Sequence, residues 1–416
     1  MTRVRLETEV ENERALVEEA YERAKGVLDR CSTPGGFFAS PDYYNAVYAR
    51  DALIMSLGGL VSGEERFVRQ WAKSMDTLMN HQSPSGQIPN CVDVYVPSRP
   101  RIIAFGAADA SLWFALTLAY ADRLFGPHPE FEHAASRAML WLRYQDAHEE
   151  GLIEQQEATD WMDITANRGH VLYSNVLYFT ALELRGEIKR AHLVREAINS
   201  FLWSDDLGYF RPWMWKQEHG DWFDSAGNLF AVAFGLADAE QTACILDHIE
   251  RNGIDRPYPI RAIHPPIQPG DKDWREYYVT EHELNLPNQY HNGGIWPWVG
   301  GLYVAALVRA GRIERARENL ALLAKANKLG RKWKIEAGER NAGERETPAE
   351  WDFNEWLHGL TGEPRGAHDQ GWSAGMYIYA YTCVKEGREP VFSDIEALKG
   401  KAFPAENSEN PPSAER

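Results

Sequence analysis

Residues 348–381 read PAEWDFNEWLHGLTGEPRGAHDQGWSAGMYIYAY, and the two halves of this stretch ask for different structures. Glu355 stands between Asn354 and Trp356, and the turn-forming run Thr361, Gly362, Glu363, Pro364 follows, so this carboxylate belongs to a loop and not to a solvated helix face. From about Trp372 onward the pattern is that of an apolar helix. A surface glutamate in a Trp-rich loop accounts for the first half. So does a sugar site, because apolar sugar faces stack on indole rings while carboxylates accept hydroxyl hydrogen bonds or move protons.

Working outward, apolar residues recur at three- and four-residue spacing in twelve places, at about 8–30, 50–61, 64–80, 107–125, 130–148, 170–187, 189–203, 225–238, 239–252, 295–311, 313–329 and 370–386. No alternating strand blocks compete with them. The connections fall into two alternating classes. Short ones lie near Val61–Gly63, Gly126–His128, Gly186–Glu187, Ala237–Ala239 and Gly311–Arg312, and long ones cover about 31–49, 81–106, 149–169, 204–224, 253–294 and 330–369. Short links join antiparallel neighbours. Hairpins that follow one another around a ring place all short links on one face and all long loops on the other. The expected fold is therefore all-α, an (α/α)6 barrel or six-hairpin toroid, with a site built on the long loops over one mouth. A solenoid of stacked helix pairs would show a fixed-period repeat, which this chain lacks. A single catalytic domain is expected over 1–403, followed by a polar, Pro-rich tail over 404–416 expected to be disordered.

The formal net charge of −17 argues against a nucleic-acid or anionic-membrane partner, which relies on clustered Lys and Arg that this sequence does not show. The N-terminal stretch is charged and helical in pattern without the apolar core of a secretory signal, and no apolar run approaches a membrane span. Cys31, Cys91, Cys244 and Cys383 form no CxxC pair, so zinc and redox roles have no support, and reduced thiols in a cytoplasmic protein are expected. Histidines lack HExxH spacing, and there is no GxSxG, P-loop or dinucleotide fingerprint. Neither a metal nor a cofactor is expected. Fifteen tryptophans, many in polar loop contexts, point instead to carbohydrate as the partner.

Within the loops, EATDWMDITANRG sets Asp160 and Asp163 around Trp161 and Met162. Capping of the next helix explains both acids; so does a carboxyl desolvated against Trp and Met and kept protonated as a general acid. Its partner would be Glu355, on the same barrel mouth. Arg50 and Asp51 after Tyr48, Asp109 with Trp113 in DASLWF, Gln87 and Asn90 in SGQIPN, Asn228 in FDSAGNLFAV, and His291, Asn292 and Trp296 in YHNGGIWPW recur at the same end of successive hairpins. Each singly is explained by capping or backbone satisfaction. Together with Asp160, Trp161, Trp356 and Trp372 they form the expected substrate-binding set.

These segments resemble the (α/α)6-barrel α-glycosidases, a group that includes the processing α-glucosidase I family, the amylo-1,6-glucosidase domain of debranching enzymes and the neutral/alkaline invertases. The resemblance covers about residues 40–386 and rests on ARDAL, DASLWF, DWMDI, YHNGGIWPW, and NEWLHGLTGEPRG followed by QGWSAG. It implies Asp163 as general acid, Glu355 as the general base that activates water, and Arg50, Asp51, Asp109, Asn292 and Trp296 around a glucose subsite. It also implies inversion, with the carboxyls roughly 6.5–9.5 Å apart to admit the water. One departure is Tyr173, two residues before Asn175, where the relatives often carry Glu. The implied activity is exo-acting release of terminal α-linked glucose from a small glucoside or short oligosaccharide. Sucrose, glucosylglycerate or mannosylglycerate as substrate remain alternatives, as does mannose in the terminal subsite. A non-catalytic carbohydrate-binding helical protein would keep the tryptophans without needing both carboxylates, and an isoprenoid cyclase would need an Asp-rich motif that DWMD matches poorly.

Overall fold

The computed structural model describes residues 2–94, 101–277, 284–335 and 343–393. Its helices are α1 (Thr2–Cys31), α2 (Ala49–Val61), α3 (Glu65–Asn80), α4 (Asp109–Phe125), α5 (Pro129–Arg143), α6 (Leu172–Leu184), α7 (Ile188–Leu202), α8 (Ser225–Ala233), α9 (Ala239–Arg251), α10 (Pro297–Arg309), α11 (Ile313–Lys328) and α12 (Gly371–Glu386). Two kinds alternate. Helices α2, α4, α6, α8, α10 and α12 are buried along nearly their whole length, whereas α3, α5, α7, α9 and α11 bury only one stripe, such as Phe67, Trp71, Met75 and Leu78 of α3. A helix apolar all round belongs in the interior, and a striped one belongs outside it.

The interior helices pack in a closed ring in the order α2, α4, α6, α8, α10, α12 and back to α2. Each is followed by its own outer helix, except the last: α12 comes at the chain's end, and α1 from its beginning packs beside it. This is the (α/α)6 barrel, closed by the two ends of the chain. Every interior helix stops at a glycine with positive φ, namely Gly63, Gly126, Gly186, Gly235, Gly311 and Gly387, which gives the tight reversal at low steric cost. Gly235 also explains why α8 ends before the expected position 238.

The long loops are not structureless. Among the described residues they form seven small sheets of two or three strands, which the sequence pattern did not show. Val47–Tyr48 pairs with Cys91–Asp93, His170–Val171 with Trp213–Trp215, and Phe223–Asp224 with Ile263–His264, each just before an interior helix. Strands this short have no period to detect; they exist because loop backbone over a closed barrel must pair its polar groups. The disorder expected after residue 403 lies outside the described residues. No described helix is long and apolar enough to cross a membrane.

The interior helices cross at glycines. A Cβ on Gly58 would lie 1.9 Å from the Gly375 carbonyl oxygen, and one on Gly375 would lie 2.4 Å from Met55 Cα. Gly375→Ala should therefore destabilise the protein by about 1–3 kcal/mol through overpacking. Gly26→Ala in α1, where the nearest atom is the end of a flexible arginine at 3.5 Å, should be neutral or stabilising by about 0.5–1 kcal/mol. Urea unfolding of the two variants beside the parent checks the contrast.

Candidate active site

The chain runs into each interior helix from a long loop, so all six of these helices start at one mouth. The floor there is built from first-turn residues. Arg50 and Asp51 open α2, and Asp109, fully buried, opens α4. The Arg50 guanidinium donates from Nη1 to Asp109 Oδ2 at 3.2 Å, the Tyr173 hydroxyl donates to the same oxygen at 3.2 Å, and Trp113 Nε1 donates to the Tyr173 oxygen at 2.8 Å. Burial works against the Arg50 charge, but the carboxylates of Asp109, Asp51 and Asp163 outweigh it and hold the group protonated. Tyr173, where the resembling enzymes often carry Glu, thus supports the buried pair from α6.

Above this floor a cavity of about 80 Å³ is lined by Tyr44, Tyr48, Arg50, Asp51, Trp161, Asp163, Tyr290, His291, Trp296, Glu355, Gln370 and Trp372. Its aromatic wall is an edge-to-face cluster. Trp161 meets Trp296 at 5.4 Å and 86° and Trp298 at 5.0 Å and 90°, while Trp372 meets Trp296 at 5.7 Å and 83°. Each such pair contributes about 0.5–1.5 kcal/mol beyond its burial, so the wall is rigid. Trp296 Nε1 donates to the Tyr290 carbonyl at 2.9 Å. Trp161 Nε1, Trp372 Nε1, His291 Nδ1 and Gln370 Oε1, by contrast, are buried with no partner among the described residues. Burial, and secondarily Arg50, hold His291 well below its ordinary pKa and therefore neutral. A polar ligand in the cavity would satisfy these orphaned groups.

The carboxyls differ in how they are held. Glu355 is buried; its Oε2 accepts from the Ala367 N–H at 2.8 Å and its Oε1 from the Tyr44 hydroxyl at 3.4 Å. Gly366, at φ +71°, allows this approach, since a Cβ there would lie 2.4 Å from Glu355 Oε2. Burial lifts the Glu355 carboxyl to about 7, the Ala367 hydrogen bond opposing and Asp51 and Asp163 reinforcing the rise. Asp51 accepts from Gln370 Nε2 at 3.3 Å and is pushed up to about 6 by burial, with Arg50 opposing. Asp163 opens into the cavity and is the most accessible of the three, yet protein surrounds it closely enough that desolvation raises its pKa while Arg50 pulls it down. Among the described residues no other side chain hydrogen-bonds to it. A set of one open and two held carboxyls, all within mutual electrostatic reach, suits proton transfer. No described cluster of three or more His, Cys, Asp or Glu is arranged to hold a metal ion.

Of the residues singled out in the sequence, Tyr48, Arg50, Asp51, Trp161, Asp163, His291, Trp296, Glu355 and Trp372 come together in the cavity lining. The others stand elsewhere. Asp109 and Trp113 lie beneath it, in the chain that holds Arg50. Asp160 caps its own turn, accepting from Met162 N at 2.7 Å. Asn228 brackets the backbone N–H and C=O of Phe210 and also donates to the Asp224 carbonyl; Asn175 does the same for Ile153 and Val171 at the equivalent position of α6. Asn292 ties Ile267 to Asn285. Trp356 sits in a two-residue strand behind Tyr290. Gln87 closes the turn from Ser83, and the Asn90 carbonyl accepts from Ala49 N at the start of α2. Amides at loop ends are claimed by backbone because the loops have few other partners. Sequence reasoning misses Tyr44 and Gln370, although Gln370 directly precedes the GWSAG that opens α12 and Tyr44 stands seven residues before Asp51.

Residues 188–336 match the family described as alkaline and neutral invertase. Over 103 residues the chain is 35% identical to a probable alkaline/neutral invertase D of Arabidopsis thaliana and 33% identical to cytosolic invertase 1 of Oryza sativa subsp. japonica, each match covering 24% of this chain. These matches span 18% of either relative, about a fifth of its length. The family match carries His291, Asn292 and Trp296 but neither Asp163 nor Glu355. Among solved structures, the GH63 mannosylglycerate hydrolase of Thermus thermophilus in complex with glucose superposes with a TM-score of 0.61 at 15% identity, covering 86% of this chain and 99% of that one. A bacterial glucoamylase complexed with acarbose gives a TM-score of 0.63 at 13% identity, covering 92% of this chain and 58% of that one. The chain therefore has the (α/α)6-barrel fold of these glycosidases, and between residues 188 and 336 it is similar in sequence to the alkaline and neutral invertases.

Proposed function

We propose that the protein is an inverting, exo-acting glycoside hydrolase that removes a terminal α-linked glucose from a small glycoside. The observation that carries this reading is the pairing, in one aromatic-walled cavity, of an open carboxyl without a side-chain hydrogen bond among the described residues, Asp163, with a carboxyl held at both oxygens by donors, Glu355. The open group reaches a leaving group; the held group accepts hydrogen bonds as a base does. In the reaction, Asp163 gives its proton to the glycosidic oxygen as the anomeric C–O bond breaks. Water adds to the anomeric carbon from the opposite face and passes a proton to Glu355, so the sugar leaves as the β-anomer. Trp161, Trp296 and Trp372 offer apolar surface to the ring, and Asp51, Gln370 and His291 offer hydrogen bonds to its hydroxyls. No cofactor is called for.

Among leaving groups, a neutral one such as the fructose of sucrose is favoured over glycerate. The described lining carries three carboxyls against one guanidinium, and that guanidinium is engaged with Asp109. The invertase match over 188–336 supports the same choice. The fold likeness to a mannosylglycerate hydrolase keeps a glyceryl glycoside as the second reading.

Proton NMR of reactions with sucrose, glucosylglycerate, mannosylglycerate, maltose, isomaltose and trehalose should show β-glucose released first from one of them. Asp163→Asn and Glu355→Gln should each lower kcat by about 10²–10⁴-fold with unchanged unfolding behaviour. Sugar binding without turnover in the parent protein would point to a non-catalytic carbohydrate-binding role instead. Because Glu355 must be ionised to act as base, kcat/KM should fall on the acid side through about pH 7, as one limb of a coupled set. The Tyr44 hydroxyl favours the ionised form. Tyr44→Phe should therefore raise the Glu355 pKa and move that acid limb to higher pH, which a pH–rate profile detects; a limb that stays in place or moves to lower pH removes Tyr44 from this role.

A further inference from the structure

We propose that Ser174, Gln155 and Asp160 form a buried relay of hydrogen bonds that positions Asp163 for proton delivery, making them positioning residues of the reaction and not ligands of the sugar. The proposal rests on the reading of Asp163 as general acid. Ser174 lies in the first turn of α6, an interior helix fixed on all sides. Its hydroxyl donates to Gln155 Oε1. Gln155 Nε2 donates to Asp160 Oδ2 at 2.7 Å, and Asp160 Oδ1 accepts from Met162 N at 2.7 Å, one residue before Asp163. The three side chains are 1%, 8% and 1% exposed, so these bonds are shielded from bulk solvent.

Each direction in the relay is determined. Asp160, accepting from Met162 N and Gln155, must meet the amide NH2 of Gln155, which leaves Gln155 Oε1 to accept from Ser174. The Gln155 backbone is held as well, exchanging both hydrogen bonds with Gly169 at 3.0 and 2.9 Å, and Thr165 N closes the turn onto the Met162 carbonyl at 3.1 Å. Among the described residues, no other side chain hydrogen-bonds to the Asp163 carboxyl to orient it. Its direction is inherited from the turn at 160–162, and through Asp160 and Gln155 from α6. This is how a loop residue can be placed as closely as one on a helix.

The relay has a polarity that substitution can reverse. Asp160→Asn keeps an oxygen for Met162 N but turns an NH2 toward the NH2 of Gln155, which can answer only by flipping its amide and giving up the hydrogen bond that the Ser174 hydroxyl donates. Gln155→Glu sets two carboxylates against each other. The double variant Gln155→Glu/Asp160→Asn restores one donor and one acceptor along the relay, with the Ser174 hydroxyl and the introduced asparagine amide both donating to the introduced glutamate, while Asn167, whose Nδ2 lies 3.5 Å from Asp160 Oδ2, turns its amide oxygen, unpaired among the described residues, toward the new NH2. These three variants and Asp163→Asn should be compared on two probes, α-glucosyl fluoride, whose leaving group departs without a proton, and the most rapidly cleaved glycoside of the panel above. The single relay variants should lose about 10–100-fold in kcat on the glycoside, the size of effect expected from misplacing a catalytic group by about an ångström, while turning over the fluoride at nearly the parent rate. The double variant should recover most of the glycoside activity. Equal loss on both probes, or no recovery in the double variant, overturns the relay as a positioning device and leaves it structural. If Asp163→Asn itself loses both probes equally, it is the assignment of Asp163 as acid that fails.

Discussion

The six interior helices run parallel, and their first turns converge on one mouth. Each helix start exposes backbone N–H groups that have no partner within the helix and carries the positive end of the helix dipole, so carboxylates are accommodated there, whereas polar groups farther along, such as Ser56, Thr117 and Thr180, bond back to their own helix. Asp51 and Asp109 occupy first-turn positions, Gln370 stands at the N-cap of α12, and Asp163 and Glu355 are brought in on loops that end at such starts. The chemistry is confined to the mouth because the barrel wall has no room for charge. The glycine crossings of α2 with α12 keep that wall tight, since at Gly58 and Gly375 the two backbones touch with nothing between them.

Within the mouth, one ion pair sets the electrostatics. Arg50 and Asp109 are both buried, and breaking such a pair leaves an uncompensated charge at a cost of about 3–5 kcal/mol. The pair is also tied to α6 through Tyr173 and back to α4 through Trp113, so three interior helices are linked directly beneath the cavity. Burial dominates at all three carboxyls and pushes their pKa values up, with Arg50 pulling Asp51 and Asp163 part of the way back. The proposed division of the carboxyls into a held base and an open acid rests on their surroundings and not on residue type.

Much of the architecture was legible because its signals are local. Helices that are apolar all round alternate with helices apolar on one side, and a glycine closes each interior helix, so periodicity and punctuation were enough to derive the hairpins and the ring. The small sheets were not legible, since two- and three-residue strands have no period. In the site, residues beside Trp or at helix starts were readable, as with Asp51, Asp163 and Glu355. The amides were misplaced: Asn228 and Asn292 look like ligands in sequence but pin loop backbone, while Gln370 looks like an ordinary loop residue yet keeps a buried oxygen free in the cavity.

The sequence alone thus determined the helices, their pairing into hairpins and the side of the barrel that carries the loops, because these follow from spacing between near neighbours. Only the tertiary structure decided which polar residues face the cavity and which support it from behind. Asp160 and Asp163 are three residues apart on one turn, and their surroundings differ because Gln155, itself bonded to Ser174 of α6, is brought against Asp160 alone. A hydrogen bond between residues distant in sequence has no trace in local pattern, so the assignment of each carboxyl had to wait for the packing that surrounds it.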